Sequence, residues 1–360
     1  MNTITDLWVH DYVNQKKSFA LYRSPNEKNF FMIEFVSAIP FQFSFLNKTH
    51  LNEGFVVFPF DEKDTKGWWF NITETTEFEM EALNKTPYEN INNPPEFSQT
   101  DFDKYKHQFD EMQKEITSGK LKKVTLSRVI NRSGDLRNYL FRIFSQLCIN
   151  NPTAFIYLLS TPETGIWIGA SPELLLKKEY DFYSLVSLAG TKRQNDTNIS
   201  EWGIKELEEQ GIVTDFIDNQ LQRYEITGYE KTGPSVIKAN SVTHLKTDYQ
   251  FNTNILSGRL GDFIRDIHPT PAISGYPKQD AISAIHRIEQ HKRKYYGGFI
   301  GAVTDNKINL YVNIRCANIN TDHSLLFTGG GLTALSNVQD EWRETEMKAE
   351  TLMKIFDSMD

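Results

Sequence analysis

Apolar and polar positions alternate along Lys123-Val124-Thr125-Leu126-Ser127-Arg128-Val129-Ile130, the two-residue period of a strand. Phe30 to Val36 and Gly54 to Phe60 are rich in aromatic and β-branched residues and also predict strands. Further strands are expected at Ala154 to Ser160, Ile166 to Ala170, Leu174 to Lys177 and Phe182 to Leu188. Three more close the chain: Gly298 to Thr304, Lys307 to Asn318 and Ser324 to Thr328. Helical periodicity marks Phe102 to Ser118, Leu136 to Asn150, Ser200 to Tyr224 and Val338 to Phe356. A further helix, Pro277 to Lys292, opens on a proline, which suits the first helical turn. Many strands joined by hairpin-like turns, with helices inserted, predict an α+β fold. Large antiparallel sheets would pack together with helices on the outside, unlike a parallel doubly wound sheet.

The strongest breaker is Asn92-Asn93-Pro94-Pro95, which separates residues 1–95 from residues 96–360. There is no fixed-period repeat and no low-complexity tract. Hydrophobic residues make up 39% of the 360 and aromatics 13%, enough to build a sizeable core. The net charge of -8, with no basic stripe, argues against nucleic acid as a partner. A small anionic substrate would need local cations or a metal to hold it. Two cysteines, Cys148 and Cys316, are too few for a disulfide framework and fit a reducing cytosol. No secretory signal or membrane-spanning apolar run is visible. A cytoplasmic, monomeric protein is expected.

Several positions carry candidate chemistry, each beside an ordinary alternative. Glu341, Glu344 and Lys348 fall at i, i+3 and i+7, on one face of the last helix. Two carboxylates so placed suit a divalent cation, and equally a solvated face with a Glu344–Lys348 pair. Glu206 and Glu209 stand above Val213 and Phe216, either completing a metal site or edging an amphipathic helix. Gly329-Gly330-Gly331 reads as a loop whose N–H groups approach an anion, or as a simple turn. Arg315 ends the alternating Tyr311-Val312-Asn313-Ile314 and suits bidentate carboxylate binding, unless it is a surface arginine. Lys123 opens an apolar strand, as a general base with a depressed pKa or as an edge lysine reaching solvent. Glu173 precedes Leu174-Leu175-Leu176, an apolar setting that raises a carboxyl pKa and suits a general acid.

In order, the strings KVTLSR, IGASPELLL, LAGTKR, HPTPAISGYP, YYGGFIGAV, VNIRCANI and TGGGLTALSNVQDEWRETEMK run from Lys123 to Lys348. Together they resemble the chorismate-utilising enzymes: isochorismate and salicylate synthases, and the large subunits of anthranilate and aminodeoxychorismate synthases. The first 100 residues match little, as is usual for this family's most variable part. The resemblance implies that Lys123 activates water and that Glu173 protonates the departing C4 hydroxyl of chorismate. It makes Glu209 and Glu344, with Glu341 nearby, the Mg²⁺ carboxylates. Arg315, Gly330, Gly331 and Lys348 then hold substrate carboxylates, and Gly190 and Thr191 line the same pocket. His244 and His268 lie in family-like strings, with structural hydrogen bonding the expected role. Two departures stand out. The family's Lys-Asp-x-x-Glu-His string reads Lys205-Glu206-Leu207-Glu208-Glu209-Gln210 here, leaving Glu206 and Glu208 as alternatives to Glu209. Lys120 and Lys122 lie beside Lys123, which is selected by register with Leu126-Ser127-Arg128.

Within the family, a lysine at 123 disfavours the ammonia-using members, and Ala189 stands where aminodeoxychorismate synthases often carry a lysine. HPTPAISGYP resembles isochorismate synthases more than salicylate or anthranilate enzymes. The expected activity is therefore Mg²⁺-dependent isochorismate synthesis, with salicylate synthesis as the alternative. Ala189 and Ser274 to Pro277, including Tyr276, are expected to line the pocket that decides between them. An inactive chorismate-binding homologue would have no need of both Lys123 and Glu173.

Overall fold

The computed structural model describes residues 4–48, 50–80, 83, 97–99, 101–193, 202–239 and 242–359. The predicted linker at Asn92 to Pro95 and the start of the helix predicted from Ser200 lie outside them.

The Lys123–Ser133 strand is buried on both faces over most of its length, so it lies inside the protein rather than on a solvated sheet face. One edge pairs antiparallel with His323–Leu332, the other with Phe97–Gln99 and Gly275–Tyr276. From His323–Leu332 the ladder continues through Cys316–Ile319, Gly165–Ser171, Phe155–Thr161, Phe19–Arg23 and Asn29–Pro40. It then runs through Trp68–Glu79, Gly54–Phe58, Phe299–Val303, Lys307–Val312, Leu174–Glu179 and Phe182–Arg193. Val242–Asn252 and Tyr229–Ala239 finish it. Every pairing is antiparallel, as the strand-and-turn pattern predicts. The four strands from before residue 80 sit together in the ladder between Phe155–Thr161 and Phe299–Val303, so both parts of the chain build one sheet system.

Helices cover this sheet where its side chains are apolar. Ile204–Arg223 lays Val213, Phe216, Ile217 and Leu221 against a core shared with Leu185, Tyr249 and Phe263. Val338–Asp357 starts where Asn337 caps the N–H groups of Gln339 and Asp340. It buries Leu352, Ile355 and Phe356 beside Phe141, Phe144 and Leu147 of Leu140–Asn150. Among the described residues no helix is long and apolar enough to cross a membrane.

Three elements depart from the sequence pattern. The helix expected to reach Lys292 stops at Ile288, and Glu289 turns to extended backbone. The Glu289 carboxylate is taken up by the Ser127 N–H at 2.7 Å and by Arg293, which also grips the carbonyls of Ile273 and Thr125. Buried bonds from this pair to the distant Ser127, Thr125 and Ile273 backbone here override helical periodicity. The strand expected over Lys307 to Asn318 is broken between Val312 and Cys316, where Arg315 takes φ 49°. The third departure is at the glycines.

Candidate active site

Gly329, Gly330 and Gly331 do not form a loop. The His323–Leu332 strand runs through all three, and they pair with Ser127, Leu126 and Thr125. Their missing side chains make room. A Cβ on Gly331 would sit 2.3 Å from Oε1 of Glu209 and 2.8 Å from Cε of Lys123. One on Gly330 would sit 3.1 Å from Oε2 of Glu341 and 3.6 Å from Oε1 of Glu344. The glycine pair is thus the floor on which three carboxylates from two helices converge.

Each carboxylate closes on its own lysine. Glu209 Oε1 lies 3.0 Å from Lys123 Nζ, Glu341 Oε1 lies 2.5 Å from Lys205 Nζ, and Glu344 Oε1 lies 2.7 Å from Lys348 Nζ. Lys348 also donates to the Gly329 carbonyl at 3.0 Å. Burial alone would push the Glu209 carboxyl up, but Lys123, Lys205 and Lys348 outweigh it and hold it below the usual range. Glu341 goes the other way, to about 7, because burial and the neighbouring Glu344 outweigh Lys205. Glu208 is exposed, Glu206 is half-buried beside the adjoining cavity, and Glu209 is buried against Lys123. Likewise Lys120 and Lys122 are exposed, and Lys123 is the one that points inward.

Glu173 occupies the turn between Gly165–Ser171 and Leu174–Glu179, fixed by its carbonyl accepting the Val312 N–H at 2.9 Å. Burial drives its carboxyl up to about 7 against the pull of Lys123, Lys348 and Arg315. Arg315 comes from the left-handed break in the strand and donates from Nη2 to Nε2 of His244 at 3.1 Å. His244 Nδ1–H donates in turn to the Gly190 carbonyl at 3.1 Å. Burial and the nearby Arg315 and Lys348 depress His244 to about 3, so the imidazole is neutral and this tautomer is fixed. Gly190 itself has φ 72° at a register shift between Ala189 and Thr191.

These groups surround one cleft, enclosing about 650 Å³ with open solvent at its mouth included. Glu173, Gly190, Thr191, Glu209, Arg315, Gly330, Gly331 and Lys348 all line it. Lys123 and Glu341 lie behind this lining, and Glu344 faces an adjoining cavity with Thr191 and Lys205. Sequence reasoning did not single out Tyr296 and Thr125, which line the cleft too. A Cβ on Gly329 would stand 2.8 Å from the Tyr296 hydroxyl, so that glycine was the available signal. Of the residues expected to shape the pocket, Ala189 lines the cleft but Ser274 to Pro277 do not: Ala272 and Ile273 just before them take that place, and Tyr276 lies beside Lys122. His268 is outside the cleft, donating to the Pro59 carbonyl at 2.9 Å and packed against Phe58 and Phe299.

A sequence profile described as "chorismate binding enzyme" matches residues 55–357. The chain belongs to this family. Isochorismate synthase EntC of Escherichia coli K12 is 29% identical over 243 residues, covering 65% of this chain and 62% of EntC. The vibriobactin-specific isochorismate synthase of Vibrio cholerae is 31% identical over 250 residues, covering 65% of this chain and 61% of that protein. Each match therefore spans less than two thirds of the relative's own length. The structure of MenF, the menaquinone-specific isochorismate synthase of Escherichia coli, superposes with a TM-score of 0.80 at 18% identity. That superposition covers 98% of this chain and 91% of MenF, and it shows a common fold.

The donor set at the glycine floor suits a hard divalent cation, which takes oxygen ligands. Glu341 is fully buried, with Lys205 and Ser336 beside its carboxylate. Among those residues no three ligating side chains are yet gathered around one point, each of the three carboxylates being closed on a lysine. In this chorismate binding enzyme, Glu209, Glu341 and Glu344 supply the oxygen donors such a cation takes, and the lysines now held by them would have to give way.

Proposed function

We propose that this chain is an isochorismate synthase that adds water at C2 of chorismate as the C4 hydroxyl departs. The observation that carries the reading is Glu173, a buried carboxyl held at about 7 in a cleft that also holds Arg315 and Lys348. At neutral pH such a group still carries a proton to give, which a general acid needs. Lys123, as the base, would take a proton from the attacking water. Its partner Glu209 would have to release it for the amine to act. Arg315, oriented by neutral His244, would hold one substrate carboxylate in a bidentate fork. Lys348 and the open backbone of Gly330 and Gly331 would complete the anion site. Mg²⁺ held by Glu209, Glu341 and Glu344 would neutralise the other carboxylate.

Chorismate consumption in the presence and absence of a chelator tests this directly. Turnover with Mg²⁺, lost in chelator and restored by excess Mg²⁺, is expected. Full activity in chelator would overturn the metal assignment, and no consumption with Mg²⁺ would overturn the enzyme itself.

A further inference from the structure

The three ammonium groups of the carboxylate cluster are placed differently among the described residues. Lys123 packs against Gly331, and Lys348 bonds to Gly329. Lys205 instead projects from the first turn of Ile204–Arg223 into the adjoining cavity with Thr191, Asn337 and Glu344. Its side chain is 19% exposed, whereas its partner Glu341 is completely buried. Each carboxylate of the cluster is already compensated by an ammonium group without any metal. An arriving divalent cation would therefore meet no net attraction until one ammonium leaves. Glu341 offers two oxygens, and Lys205 contacts one of them while the other faces Gly330.

We propose that Lys205 is an internal counter-cation, seated on Glu341 in the metal-free protein and exchanged for Mg²⁺ when the ion binds. This rests on the metal reading above. Lys205 leaves as a cation, and its four-carbon stem lets it swing away from Glu341 towards the open side of the adjoining cavity. Lys205 thereby sets how weakly the empty site holds its metal. It also prevents three buried carboxylates from facing one another uncompensated, which would be costly.

Calorimetric titration with Mg²⁺ alone, on the full chain and on Lys205→Met and Lys205→Gln, tests the exchange. Both variants should bind Mg²⁺ more tightly, on the order of tenfold or more, because a unit charge at contact distance has been removed. Their metal-free forms should melt lower than wild type and recover with Mg²⁺. In the wild type, acylation of Lys205 by an amine-reactive ester, read by mass spectrometry, should speed up when Mg²⁺ is added. That arm decides the matter if the variants do not fold. Unchanged Mg²⁺ affinity in folded variants, or acylation of Lys205 indifferent to Mg²⁺, overturns the exchange alone. Failure of every form to bind Mg²⁺ overturns the metal reading and this proposal with it.

Discussion

The Arg315 guanidinium is anchored by His244: Nη2 lies 3.1 Å from Nε2, and both side chains are buried. Because the other imidazole nitrogen is committed to the Gly190 carbonyl, the link joins the strand break to the bulge across the cleft. His244→Phe keeps the ring volume but removes the acceptor and the donor. Leaving a buried guanidinium without its partner costs about 1–3 kcal/mol. The expected result is a KM for chorismate raised roughly tenfold to a hundredfold, with a smaller change in kcat. Steady-state kinetics check it.

Glu173 makes stability depend on pH in a way a glutamine would not. Its folded-state carboxyl binds a proton more tightly than the ordinary carboxyl at 4.5, so its stabilising effect is fully present below that value. The effect is lost as pH rises through about 7. Relative to Glu173→Gln, the wild type should lose up to about 3 kcal/mol between about pH 4 and about pH 8. Urea unfolding of both proteins across that range measures the difference. Parallel pH profiles would contradict the assignment.

Lys123 and Lys122 are neighbours with opposite fates, one buried against Glu209 and one exposed beside Tyr276. Lys123→Gln should lower turnover by about a hundredfold or more, the usual scale for a general base. Lys122→Gln should leave the rate within a small factor of wild type. Equal effects in the two variants would place the base elsewhere.

The glycine floor predicts a graded response. Gly331→Ala drives a methyl to 2.3 Å from Glu209, whereas Gly330→Ala meets Glu341 at 3.1 Å. The first must push Glu209 off Lys123, and Mg²⁺ affinity should fall by about tenfold or more. The second should cost several-fold less. Calorimetric Mg²⁺ titration ranks them.

Most strands and the antiparallel arrangement were legible because alternation in KVTLSRVI and its neighbours is a local signal that tertiary packing reinforces. What stayed hidden was set by distant partners. The end of the helix at Ile288 depends on Glu289 finding the Ser127 N–H, and on its neighbour Arg293 finding the Thr125 carbonyl, both far away in sequence. The three glycines look like a loop to local rules, and only the carboxylates arriving from two helices explain why a strand needs them there. The residues named for the site do share one region, but periodicity could not show that Lys123 and Glu341 lie behind the cleft wall. Nor could it show that Lys205 would pair with Glu341 across two helices.

The most direct test of the account is the product formed from chorismate and Mg²⁺ by the purified protein. Chromatography should show isochorismate accumulating as chorismate disappears, while a lactate dehydrogenase-coupled assay detects no matching pyruvate. Pyruvate released in step with chorismate loss, together with salicylate fluorescence, would contradict the assignment.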